Sequence, residues 1–255
     1  KLRCRGPVTV ETKKVLYQVD IKEIGFDPEP YVITDALMFG DGKAIVRFTD
    51  MSLKLTGLSK EYIDSIWGVT EAPTNFDHSR AAIYDKESIM QFSNGKPSLA
   101  FGPEYQVFDE KRRIARLPGP PYQFMDRVVE VDHPKFVLQK GGWIEAHYDV
   151  PPNEWYFGAN RQDSMAYCIL LEAALQPCGW LAAYAGSALR SEQDVKFRNL
   201  GGTATLIKEV FPNTGTIRMR VRMTDVNEAG GMIIENFDMQ VYAGDELIYD
   251  GTTYF

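Results

Sequence analysis

The chain has 255 residues, 44% of them hydrophobic and 25% charged, enough to bury a substantial core in one large domain or two of ordinary size. Its net charge of −7 and pI near 5.1 lack the basic balance that nucleic-acid binding requires, which argues against DNA or RNA as a partner. Three cysteines without CxxC spacing argue against a disulfide framework or a thiolate metal site and fit a reducing cytoplasm. The most apolar stretch, Met165 to Leu189, is broken by Glu172, Gln176 and Pro177, so no membrane span is read.

The chain begins at Lys1, without the basic-then-apolar layout of a signal peptide, and reads as a piece of something longer. Its opening segments alternate apolar with polar, as in Val15-Leu-Tyr-Gln-Val-Asp-Ile21, the period of a half-buried antiparallel strand. Tyr31 to Phe39, then Gly40-Asp-Gly-Lys-Ala-Ile-Val46, continue as strand, tight hairpin and strand. The same series returns later in the chain. Lys1 to Gly6 is echoed by Lys196 to Gly201, and Tyr17 to Ile24 by Met219 to Val226. Tyr31 to Phe39 is echoed by Met232 to Tyr242, and the Gly40 hairpin by Gly244 to Asp250. In the second copy an apolar helical segment precedes the strands and can cover them; in the first it is absent. Residues 1–58 are therefore expected to be the closing strands of a unit whose helix lay upstream.

Residues 59–119 read as a structured linker with a short helix over Asp85 to Asn94, N-capped by Asp85 and stopped at Gly95 and Pro97. Ile66, Trp67, Phe101, Tyr105 and Phe108 suggest that it packs on a neighbour. The basic run Lys111-Arg-Arg-Ile-Ala-Arg116 reads as a solvated loop. Leu117-Pro-Gly-Pro-Pro-Tyr122 punctuates the boundary, because its prolines forbid both helix and central strand. Residues 120–255 read as a complete unit. Its histidines, with His78 upstream, are His133 and His147; none is paired at metal-ligand spacing, and all three read as surface or loop residues.

The helix of this unit, Met165 to Ala185, is apolar on nearly every face, as expected of a helix wrapped by a curved sheet. From Ser164 to Leu189 its one Asp, Glu, Lys or Arg is Glu172, where burial should penalise the charged form and raise the pKa. Gln176 lies one turn on, pointing at the same spot. Pro177 should kink the helix, and Gly179 permits close packing. A lone acid of this kind can be a proton donor. It can equally be a structural hub paired with Arg161, Arg190 or Arg198, and residue pattern alone leaves both readings open.

Leu117 to Val128, Trp155-Tyr-Phe-Gly158 and Leu171-Glu-Ala-Ala-Leu-Gln176 together resemble the β-hydroxydecanoyl-ACP dehydratase family, most closely the dehydratase region of multidomain polyunsaturated fatty acid synthases. The resemblance spans 120–255, and 1–58 resembles the closing strands of the same fold. It implies an α+β hot-dog fold, a long central helix wrapped by a curved antiparallel sheet, with two hot-dogs side by side forming each site. It makes Glu172 the catalytic acid and Gln176 its polar companion. The family's His falls on Asn160, so the base is missing, and the helix N–H groups near Tyr167 and Cys168 would polarise the thioester carbonyl.

The activity implied is water elimination from a 3-hydroxyacyl thioester carried by an acyl carrier protein, with no cofactor and no metal. A neighbouring His-bearing hot-dog of the same polypeptide would complete the site, and the family's order of halves favours one beyond Phe255. The isolated segment is expected to be nearly inactive. The alternative is a non-catalytic hot-dog that binds acyl chains or scaffolds a catalytic partner.

Overall fold

A computed structural model describes residues 1–60 and 76–255, so Ile66 and Trp67, expected to pack on a neighbour, lie outside the described residues. The chain divides into two compact units, one within residues 1–69 and the other within 70–255.

The first unit is a four-stranded antiparallel sheet of β1 (Leu2–Cys4), β2 (Val15–Gly25), β3 (Tyr31–Gly40) and β4 (Lys43–Lys54), in the order β1-β4-β3-β2. The β3–β4 turn takes Asp41 and Gly42 through positive φ, at 48° and 82°, the mirror-image turn whose twist matches paired strands. Asp41 can hold that conformation because its carboxylate accepts the Lys13 and Lys14 backbone N–H groups.

The second unit opens with three short helices, α1 (Lys86–Ser93), α2 (Pro97–Phe101) and α3 (Val107–Glu110). Asp85 caps α1 as its sequence predicts, accepting the Ser88 N–H at 2.9 Å. Pro97 does more than stop that helix: it opens α2 at a position where its missing N–H costs nothing. Then follow β5 (Arg127–Asp132), β6 (Trp143–Asp149), α4 (Trp155–Asn160) and α5 (Tyr167–Tyr184). The closing strands are β7 (Gly201–Leu206), β8 (Thr216–Ala229), β9 (Met232–Ala243) and β10 (Glu246–Tyr254), and the six-stranded sheet runs β5-β6-β8-β9-β10-β7.

The strand alternation resolves into an inner and an outer face. Ile144, Ala146 and Tyr148 of β6, Ile217, Met219, Val221 and Met223 of β8, and Phe237, Met239 and Val241 of β9 are all buried in the core shared with α5. The helix is the one expected, begins two residues later than Met165, and runs unbroken for 18 residues through Pro177. A Cβ on Gly179 would lie 3.2 Å from the Phe197 ring and 3.3 Å from Leu117, so the glycine does permit close packing. A long helix lying against one face of a strongly paired antiparallel sheet is the hot-dog arrangement, and the fold class is α+β.

Two findings bear on the repeat and the linker. The order β8-β9-β10-β7 in the second unit repeats β2-β3-β4-β1 in the first. The sequence echo at Lys196 to Gly201 is out of register, however, because β7 starts only at Gly201. Residues 76–119 share the core of the second unit: Ile89, Phe92, Phe101, Tyr105 and Phe108 are buried with Trp180 of α5. The Trp180 ring lies 4.9 Å from Tyr84 and 5.5 Å from Phe101, and the Tyr105 hydroxyl donates to the Ala183 carbonyl.

Candidate active site

The three motifs that carry the family resemblance converge in space on α5. Gln176 is buried, and its side-chain amide is fully engaged. Its Oε1 accepts the Phe124 backbone N–H at 2.8 Å, and its Nε2 donates to the Tyr122 carbonyl at 2.9 Å and to Glu172 Oε1 at 3.1 Å. The loop that supplies Tyr122 is tied in turn to α4, since Trp155 Nε1 donates to the Pro121 carbonyl at 3.1 Å. The aromatic rings of Tyr122, Phe124 and Tyr156 pack successively against one another, at 5.0 Å and 5.9 Å between centroids.

Glu172 is half-buried, and burial raises its pKa, with the Gln176 hydrogen bond opposing that rise. Among the described residues no ion pair to Glu172 is found, and of the arginines that could have paired with it Arg190 instead lies 3.6 Å from Glu228. The carboxyl is thus biased toward its protonated form and held in one orientation by an amide that is itself fixed to the backbone.

Asn160, at the family's His position, ends α4 and uses its Nδ2 to donate to the Ser164 carbonyl at 3.0 Å. That bond closes the loop between α4 and α5. Tyr167 and Cys168 form the first turn of α5, both are exposed, and the helix has no side-chain N-cap. The first N–H of the helix bonded to a carbonyl is that of Ile169, to Ala166, and among the described residues the Tyr167 and Cys168 N–H groups have no backbone acceptor at the positive end of the helix. Among the described residues no group of three or more His, Cys, Asp or Glu side chains is arranged to hold a metal ion, and no helix is long and apolar enough to cross a membrane.

Two readings of the sequence are corrected. His133 lies in the loop after β5 as expected, though buried there and bonded to the Val137 carbonyl at 2.8 Å, whereas His147 is wholly buried in β6. The strand period puts Glu145 and His147 on the sheet face opposite to α5, where His147 Nε2 lies 2.9 Å from Glu145 Oε1. Arg80 and Arg220 reach the same carboxylate at 2.6 and 2.5 Å. Burial alone would raise the Glu145 pKa, but the His147 and Arg220 hydrogen bonds and the two arginine charges outweigh it and hold it at about 2. A His and a Glu do meet in this chain, then, but sealed from solvent and with the acid locked in its ionised form, unable to give up a proton. The signal was present in Trp143-Ile-Glu-Ala-His-Tyr-Asp149, where the alternate residues Glu145, His147 and Asp149 are ionisable.

The basic run at 111–116 is also not a solvated loop. Arg112 donates to the Ser191 and Gln193 carbonyls, Arg116 donates to those of Phe92 and Gly95, and Ile114 is buried. These guanidinium groups fasten chain segments that have no regular partner.

A long buried helix wrapped by an antiparallel sheet defines a hot-dog protein. The chain belongs to the FabA-like domain family, whose model matches residues 1–49 and 117–252. It is 30% identical over 178 residues to a large polypeptide of the polyunsaturated fatty acid synthase of Thraustochytrium sp., an alignment covering 66% of this chain and 12% of that much longer relative. The resemblance read from the three motifs is thereby borne out. Among solved structures it is similar to the dehydratase heterocomplex ApeI:P of Xenorhabdus doucetiae, at 10% identity and a TM-score of 0.39, over 53% of this chain and 83% of that one. It is also similar to a hypothetical thioesterase with coenzyme A from Streptococcus pneumoniae, at 9% identity and a TM-score of 0.35, over 49% and 84% of the two chains.

Proposed function

We propose that this chain supplies the acidic arm of a 3-hydroxyacyl-ACP dehydratase within a larger fatty acid or polyketide synthase. The observation that carries the reading is Glu172, an acid with a raised pKa held by Gln176, which anchors it to the Tyr122–Phe124 loop. In the step itself, a base takes the α-proton, the Cα–Cβ double bond forms, and the Cβ–O bond breaks as the departing hydroxyl takes the proton of Glu172 to leave as water. The product is a 2-enoyl thioester. Gln176 is a positioning residue, and the N–H groups of Tyr167 and Cys168 polarise the thioester carbonyl.

The base is a His from a neighbouring hot-dog of the same polypeptide, because Asn160 cannot accept the α-proton and is already engaged with Ser164. The repeated strand order supports reading residues 1–58 as the closing strands of one hot-dog and 120–255 as the body of another. Substrate arrives on an acyl carrier protein in a reducing cytoplasm, where the free thiols Cys4, Cys168 and Cys178 persist. The test is water elimination from a 3-hydroxyacyl thioester by the longer polypeptide. Glu172→Gln is expected to cost about 10²- to 10⁴-fold in kcat, of the order a general acid contributes. Undiminished turnover overturns the role of Glu172.

The Asn160–Ser164 bond favours a second reading, a hot-dog that binds acyl chains or scaffolds its partner without chemistry of its own. In that case Glu172→Gln leaves turnover of the longer polypeptide intact while removal of residues 120–255 abolishes it.

A further inference from the structure

Tyr122 stands at the Glu172 site with its backbone and ring fixed and its hydroxyl idle. Its N–H donates to the Gly119 carbonyl at 3.0 Å, closing a turn whose inner residues, Pro120 and Pro121, have φ set by their own rings. Its carbonyl accepts Gln176 Nε2 at 2.9 Å, and the same nitrogen donates to Glu172 Oε1 at 3.1 Å, so one atom holds both the loop and the acid. The ring meets Phe124 edge to face at 5.0 Å and lies 6.4 Å from Trp155. Among the described residues the phenol oxygen has no hydrogen-bond partner, and the residue is 36% exposed.

The charges that act on the phenol locate it. Burial raises its pKa, and nearby Glu172 and Cys168 raise it further, so the hydroxyl keeps its proton and remains a donor. Cys168 and Glu172 are four residues apart, which puts them on one face of α5 about 6 Å from each other along the axis. A group that feels both lies alongside that face, between the N-terminal end of the helix and the acid. A thioester with its carbonyl at the helix end and its 3-hydroxyl at Glu172 occupies the same stretch.

We propose that Tyr122 is a catalytic residue of this site, its hydroxyl donating a hydrogen bond to the 3-hydroxyl oxygen of the substrate and holding that oxygen against Glu172. The proposal rests on the dehydratase reading and adds a second donor to it. As the Cβ–O bond breaks, the oxygen takes the bonding pair and the Glu172 proton; Tyr122 keeps its own proton and lends only the hydrogen bond. Because the oxygen gains charge during the step, that bond strengthens in the transition state and raises kcat. The turn and the ring contacts are set beforehand, so little freedom is lost when the bond forms.

The test is water elimination from 3-hydroxyoctanoyl N-acetylcysteamine by the longer polypeptide. Tyr122→Phe deletes the hydroxyl and leaves the ring, the turn and the Gln176 bond, and kcat should fall about 10- to 100-fold, the size of one hydrogen bond to a charged group. Octanoyl N-acetylcysteamine, which lacks the 3-hydroxyl, should inhibit the variant as well as it inhibits the wild type. Weaker inhibition of the variant would mean that Tyr122 only shapes the pocket, and overturns the proposal. Glu172→Gln separates the two claims: slowed turnover there with full turnover in Tyr122→Phe overturns the role of Tyr122 alone, and full turnover in both overturns the dehydratase reading with it. A second probe decides even where Tyr122→Phe fails to fold. With 3-fluorotyrosine in place of Tyr122 in a Glu172→Gln background, the fluorine NMR signal should shift on binding the 3-hydroxy thioester and hold its place with the octanoyl one. Equal shifts with both overturn the proposal.

Discussion

Gln176 bears more of the Glu172 site than a hydrogen-bond partner usually does, since one amide serves a loop N–H, a loop carbonyl and the acid itself. Gln176→Leu should strand the Phe124 N–H and the Tyr122 carbonyl and cost about 1–3 kcal/mol in urea unfolding. It should also raise the Glu172 pKa further, because the bond that it removes favours the carboxylate; a carboxyl NMR titration that shows no rise would refute that linkage. Glu235 gives a pH signature of the opposite kind to the usual acidic residue. Its pKa is raised from 4.5 to about 7, so the native state resists ionisation that the unfolded chain accepts. Stability is full below about 4.5 and falls as pH rises toward 7, by about 3 kcal/mol at most. Glu235→Gln should flatten that fall in chemical denaturation at pH 4.5 and 7, and an unaltered slope would count against it. Glu172 could be picked out from sequence because no other charge lies near it in the chain. The contact that clamps it could not, because Phe124 and Tyr122 are 52 and 54 residues upstream of Gln176, and the Leu117 to Val128 motif marks that segment without naming its partner.

Strand β6 shows how one element serves two chemistries. Ile144, Ala146 and Tyr148 face α5, while Glu145 and His147 face the other side and meet Arg80 from the segment before α1 and Arg220 from β8. The β6–β8 register places Arg220 directly opposite Glu145, which makes the pair a cross-strand contact of opposite charge. The alternation is present in Trp143 to Asp149, but no strand is read there from sequence, and His147 is taken for a surface or loop residue. Register and the arrival of Arg80 from 65 residues away were not legible either, and these turn two isolated ionisable residues into a closed network. Glu145→Gln should cost about 3 kcal/mol, the low end for a broken buried pair because both arginines still reach solvent. The Glu145 pKa is depressed from 4.5 to about 2, so its contribution is present above 4.5 and lost as pH falls toward 2. Acid unfolding should therefore bring the variant and the wild type together at pH 2, and a gap that persists there would mean the network acts by packing and not by charge.

The repeat of strand order between the two units was legible because tight Gly-Asp hairpins punctuate both copies, and turn chemistry is local. The extent of the second unit was not, because residues 76–119 form helices too short to show a full apolar stripe, and their partner, α5, is apolar on every side and so names no preferred face. The packing decides what the pattern could not. Phe92, Phe101, Tyr105 and Phe108 are all buried in the core that holds Trp180, and at about 1.5–3 kcal/mol for each such side chain their removal forfeits roughly 6–12 kcal/mol. That equals the whole net stability of an ordinary domain, about 5–15 kcal/mol. A chain of residues 120–255, the unit suggested by the proline-rich boundary, should accordingly lack a cooperative thermal transition and expose Trp180 to solvent. A chain of residues 76–255 should unfold cooperatively with Trp180 fluorescence blue-shifted until the transition. If 120–255 melts cooperatively within a few degrees of 76–255, the aromatic segment is a dispensable cover, and α5 is held by its own sheet alone.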